Sequence, residues 1–200
     1  LVSWVVYDIA NTAFYLGVVG LFLPLWINQR RDTTDADLGF PIAISMLIVL
    51  LISPFLGALT DQLKSRIRTF TLLNIVAASS TFFIGWSNNI SAGLSFFCLA
   101  FVSVYLAELI YNSLLLDTST QKNRGRIGGI ATALGYLGAL VAILAAILYK
   151  GDDQNSYSLE FQFIGVVFII TALPITFFFV ERRLPGDTNS GSNSVRKSVL

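Results

Sequence analysis

Six apolar stretches of near bilayer-crossing length govern what this 200-residue chain can become: Val5–Trp26, Pro41–Leu59, Phe70–Trp86, Ala92–Leu116, Ile127–Tyr149 and Phe161–Val180. A helix needs about 20 apolar residues to cross the hydrocarbon core. Backbone groups inside lipid have no water to bond, so each stretch must close its hydrogen bonds internally, as a helix. The expected fold is therefore all-α: an integral membrane bundle of six transmembrane helices over residues 1–183, with residues 184–200 as a flexible tail. Composition agrees: 54% of residues are hydrophobic and 12% are charged, about half the charged share of a soluble domain.

The same composition removes whole classes of function. There is no histidine, so the usual zinc sites and His-based triads are absent, and no catalytic residues, metal or cofactor are expected. Net charge is +1, which supplies no basic field for nucleic acid. The single cysteine, Cys98, lies in an apolar run and reads as packing. The expected partners are the lipid bilayer and a small-molecule substrate.

All 13 Lys and Arg residues fall in the connections or the tail. One side of the membrane collects Lys64, Arg66, Arg68, Lys122, Arg124, Arg126, Arg182, Arg183, Arg196 and Lys197; the other holds Arg30, Arg31 and Lys150. By the positive-inside rule the first side is cytoplasmic, and so are both termini. Trp4, Trp26, Trp86 and Tyr149 lie near span ends, where amphipathic rings favour the headgroup zone. The chain opens on Leu1 without a basic leader, and its tail, rich in Ser, Asn and Gly, reads as a linker. The expectation is a fragment of something longer.

Two acidic residues fall inside the predicted spans, Asp8 and Glu108; the others, Glu160 among them, are placed in connections or the tail. A charge at membrane depth costs about 2.5–3.5 kcal/mol on insertion scales, so such groups face a cavity or a partner. A carboxyl in low dielectric with no cation beside it can take up and release a proton, which proton coupling requires. Asp8, Asn11 and Tyr15 share one face of the first helix, and Tyr105, Glu108, Tyr111 and Asn112 form a polar stripe on the fourth. Both stripes suit the wall of a substrate or proton cavity. Asp8 is close enough to its span end to reach headgroup water, whereas Glu108 lies about two turns in and is the stronger candidate.

The fifth span carries Gly125, Gly129, Gly135 and Gly138 at small-xxx-small spacing, expected to serve close helix packing. Pro54 and Pro174 predict kinks in the second and sixth spans. Asn89-Ile90-Ser91 matches a glycosylation sequon in a turn too tight to favour it.

The connection from Gly57 through Thr60-Asp61-Gln62 to Arg66-Ile67-Arg68 resembles the signature loop of the major facilitator superfamily, with Gly57, Asp61, Arg66 and Arg68 carrying the match and Lys64-Ser65 departing from it. Tyr7-Asp8-Ile9-Ala10-Asn11-Thr12-Ala13-Phe14 resembles the opening of that superfamily's vacuole effluxer-like branch. So do Tyr111-Asn112-Ser113, Arg124-Gly125-Arg126, the Gly135–Gly138 segment and Val180-Glu181-Arg182-Arg183, in the same order along the chain. The resemblance covers essentially all of the chain as the N-terminal half. It implies a secondary active transporter moving a small solute, amino acids in that branch, by alternating access between two six-helix bundles. It also implies that the first and fourth helices line the cavity, and that the loop braces one conformation, Asp61 capping a helix of the missing C-terminal half. A bacterial plasma membrane and a eukaryotic vacuolar membrane both fit. From residues alone, a complete six-helix protein working with a second copy of itself, and a scaffold or receptor that transports nothing, stay open; an intramembrane enzyme has no nucleophile and base to support it.

Orientation is checked by single-cysteine labelling in a Cys98→Ser background. Lys122→Cys should react with an impermeant maleimide only after permeabilisation, and Lys150→Cys in intact cells; the reverse pattern would invert the topology.

Overall fold

A computed structural model describes residues 2–29, 34–62, 66–87, 89–149 and 157–178. These form six helices: α1 (Val2–Asn28), α2 (Asp35–Gln62), α3 (Arg66–Trp86), α4 (Ile90–Thr118), α5 (Arg124–Leu148) and α6 (Tyr157–Phe178). Each contains a stretch long and apolar enough to span a membrane. The helices extend beyond the apolar stretches because polar residues close their ends. Thr34 donates its backbone N–H and hydroxyl to Asp37 Oδ2 (2.6 and 3.0 Å) at the start of α2, one arm of a capping box. Asn89 Oδ1 accepts from the Ser91 N–H (2.9 Å), so the sequon asparagine is the N-cap of α4. Pro41 and Pro54 lie within α2, and Pro174 within α6. The expected tail, 184–200, and the Val180–Arg183 motif fall outside the described residues.

Helix α1 is the core of the bundle. Half of its apolar window is buried, against 11% for α2. It packs on α5 and α6; α3 packs on α4 and α6; α2 lies against α4; and α1 meets α4 at a few points only. From Ala13 to Phe22 α1 winds as a π-helix, whose wider turn ends with the Leu23 N–H bonded to Val18 O. Such i→i+5 stretches are rare and cluster at functional sites. The aromatic interior runs through Tyr7, Phe14, Phe22, Phe70, Phe161 and Phe168, all fully buried. Large apolar side chains on α2 (Leu47, Leu51, Phe55) and α5 (Leu140, Ile143, Ile147) are exposed, as lipid-facing side chains are. Trp4 and Trp26 depart from the headgroup-belt expectation: both turn inward, Trp4 stacked on Tyr111 and Trp26 edge-on to Phe161, while Trp86 is exposed.

With no hydrophobic force between helices in lipid, close backbone approach must hold them. A Cβ at Gly138 would collide with Ile9 O and would lie 2.7 Å from Ala13 N. At Gly165 it would lie 3.0 Å from Ala78 O, where α6 meets α3. The expected packing stripe on α5 divides. Gly135 and Gly138 press on α1, whereas at Gly125 and Gly129 an added Cβ meets nothing within 4 Å among the described residues.

Gly138→Ala should lower detergent-phase thermal stability by about 1–3 kcal/mol, the cost of overpacking, while Gly129→Ala should leave it unchanged. Equal melting temperatures for the two variants would refute the α1–α5 contact.

Candidate functional site

The polar residues of α1 and α4 meet across an interface made by side chains, where the two backbones come close at few points. Tyr15, in the π segment, donates its hydroxyl to Glu108 Oε2 at 2.6 Å. Its ring meets Tyr105 edge-on, centroids 5.2 Å apart, and Tyr105 in turn lies 4.6 Å from Phe101. Tyr15 thus meets two other expected cavity residues, Tyr105 and Glu108, and all three are half-buried.

Asp8 occupies the neighbouring position. Its carboxyl lies over Gly135, where an added Cβ would stand 2.5 Å from Asp8 Oδ2 and 3.0 Å from Thr12 Oγ1. The absence of a side chain at Gly135 is what makes room for a carboxyl between α1 and α5. The Tyr111 hydroxyl donates to Trp4 O at 3.1 Å and also comes within hydrogen-bonding reach of Asp8. Trp4 Nε1 donates back to Tyr111 O at 3.1 Å, and the two rings stack 4.5 Å apart, 6° from parallel. This reciprocal pair pins the start of α1 to α4 about a turn from Glu108. Asp8 and Glu108 lie close enough to feel each other's charge.

Asn11 lies one turn from Asp8 and one from Tyr15, 4% exposed, and its Oδ1 has no hydrogen-bond partner among the described residues. An unpaired buried carbonyl costs about 1–3 kcal/mol. Asn112, expected on the same stripe as Glu108, is exposed, whereas Tyr111 is buried. The four-residue stripe on α4 therefore turns only part of itself toward α1.

Sequence reasoning passed over three groups here. Tyr7 is fully buried and donates to Asn74 Oδ1 (2.8 Å), while Asn74 Nδ2 donates to Phe70 O (2.7 Å), tying α1 to α3. Asn74 is a polar residue within an apolar stretch, and that was its signal. Trp4, read as a headgroup residue, instead completes the α1–α4 clamp. Glu160, placed in a connection, is a correction: α6 begins at Tyr157, and Glu160 is buried in its first turn, 1% exposed, with Oε2 unpartnered among the described residues. Hydropathy marks the apolar stretch of a helix and not the turn that precedes it.

Among the signature-loop residues, Gly57 is exposed with open space around it. Arg66 donates to Ser113 Oγ of α4 at 3.4 Å, and Arg68 is exposed. The backbone of Asp61 lies in the last turn of α2, and its side chain is outside the described residues. No group of three or more metal-ligating side chains occurs among the described residues.

Comparison with known proteins places these features in a family. A protein of Aquifex aeolicus (strain VF5), itself uncharacterized, is 29% identical over 174 residues, covering 86% of this chain and 43% of its own. The uncharacterized MFS-type transporter YxiO of Bacillus subtilis (strain 168) is 25% identical over 154 residues, covering 72% of this chain and 36% of its own. The chain thus spans less than half the length of these curated relatives. No solved structure matches. The family model of the Major Facilitator Superfamily matches residues 9–200, and the chain, a multi-pass membrane protein of six helices, belongs to that superfamily.

Proposed function

We propose that this chain forms the N-terminal half of a secondary active transporter that moves a small solute by alternating access, with Glu108 as its proton-coupling residue. The observation that carries the reading is the Tyr15–Glu108 hydrogen bond, which joins the π segment of α1 to α4. A hydrogen bond to an ionised carboxylate is about twice as strong as a neutral one. Taking up a proton at Glu108 weakens its hold on Tyr15, so protonation and the α1–α4 contact are linked. The titratable groups facing Glu108 are Tyr7, Asp8 and Tyr15 on α1 and Tyr105 and Tyr111 on α4. The arginines of the described helices, Arg66, Arg68, Arg124 and Arg126, all sit in the first turns of α3 and α5.

The second bundle comes from further chain or from a second copy. The greater length of the relatives supports further chain. The opening motif around Tyr7, Asp8 and Asn11 supports the vacuole effluxer-like branch, and on that ground amino acids are the first solutes to test. The bacterial sources of the relatives support a plasma membrane, and the one-sided Lys and Arg distribution supports cytoplasmic termini.

Uptake into proteoliposomes containing the full-length protein, with and without an imposed pH gradient, tests the proposal. Gradient-driven uptake should fall at least tenfold in Glu108→Gln while solute exchange at equal pH persists. Unchanged gradient dependence would remove Glu108 from coupling. Tyr15→Phe should slow gradient-driven uptake about tenfold, since a hydrogen bond to a charged group contributes about 1.5–3 kcal/mol.

A further inference from the structure

Both ends of α1 are fixed to α4, and the stretch of α1 between the two contacts has more residues than its counterpart. At one end Trp4 stacks on Tyr111 and exchanges hydrogen bonds with it. At the other end Trp26 sits on Gly93, where an added Cβ would stand 2.6 Å from the indole ring, and meets Phe161 of α6 edge-on. Trp26 follows Trp4 by 22 residues on α1, whereas Tyr111 follows Gly93 by 18 on α4. At 1.5 Å per residue, an α1 wound entirely as α-helix would exceed α4 between these contacts by about 6 Å, a little more than one turn. Between them lies the π segment, Ala13–Phe22. Its i→i+5 bonds enclose more residues in each turn, so it takes up surplus chain.

The winding has local support. Pro24 follows the segment at the start of the next α-helical turn and has no N–H, so α winding would leave Gly20 O without its donor. Gly20 is exposed, and an added Cβ there would meet Tyr15 O of the same helix at 3.3 Å. An alanine at this position therefore crowds the π turn, while it favours an α turn. Tyr15 itself lies within the segment and donates to Glu108 from there. The two windings set different residues on one face, so a change of winding moves the Tyr15 hydroxyl off Glu108. Rewinding also lengthens the segment, and a longer segment draws Trp26 off Gly93.

We propose that residues 13–22 are a rewinding element that links the Tyr15–Glu108 bond to the seating of Trp26 on Gly93: π winding holds both contacts and α winding releases both. The proposal deepens the transporter reading and rests on it only in making this movement a step of the transport cycle.

The test is fluorine NMR of the full-length protein in detergent, labelled with 5-fluorotryptophan, the Trp26 resonance being assigned from Trp26→Phe. Tyr15 lies about three turns from Trp26 along α1, so Tyr15→Phe and Glu108→Gln act on Trp26 only through the segment. Each should raise the population of a second Trp26 resonance at least threefold. Gly20→Ala and Pro24→Ala should raise it as well, with Gly20→Ala carrying this arm if Pro24→Ala does not fold. Gly129→Ala, whose added Cβ meets nothing within 4 Å among the described residues, should leave the resonance as it is. A Trp26 resonance unchanged in folded Glu108→Gln, or unchanged in Gly20→Ala, would overturn the proposal. So would an equal response to Gly129→Ala, which would mean general loosening of the bundle. The two readings fail separately. Linked Trp26 and Glu108 responses without uptake in proteoliposomes sink the transporter reading alone, and Glu108-dependent uptake with a silent Trp26 sinks the rewinding element alone.

Discussion

The close approach of α5 to α1 is the contact on which the rest of the bundle depends. In lipid, two apolar helices gain nothing from hiding from water, so dispersion between tightly fitted surfaces has to hold them. Gly138 brings α5 onto the backbone of α1 at Ile9 and Ala13, and Gly135 leaves a recess one turn away that the Asp8 carboxyl occupies. The packing contact and the polar site are thus built by the same pair of glycines. A helix held this firmly on one side is free to meet α4 sparingly on the other, through side chains rather than backbone.

That sparing contact is polar where it matters. Trp4 and Tyr111 exchange hydrogen bonds and stack, Tyr15 reaches Glu108, and Asn11 is left with a buried carbonyl that nothing satisfies. Buried polar groups are normally paired, and this carbonyl is an exception among the described residues. The π segment of α1 belongs to the same region, since Tyr15 lies within it. A wider helical turn changes which residues share a face, and the face it sets for Tyr15 is the one that reaches α4.

The family assignment and the geometry inform each other without being interchangeable. Membership of the Major Facilitator Superfamily makes this a membrane transporter fold and leaves the solute open. Of the signature loop, Arg66 reaches Ser113 of α4.

Hydropathy by itself determined the six helices, because a bilayer allows a long apolar segment no other way to satisfy its backbone. Asp8 and Glu108 were legible for the same reason, as charges where charge is costly. Helix ends were less legible: Glu160 read as a loop residue because hydropathy marks where the apolar stretch begins, and α6 begins a turn earlier. The pairing of helices was beyond the sequence altogether. Gly125 and Gly138 belong to one small-residue stripe, yet only Gly138 has a helix against it, since spacing gives a face but not what lies opposite. In the same way Tyr15 and Glu108 could each be named from the chain, but only the tertiary structure joins them, because their hydrogen bond depends on how α4 approaches α1.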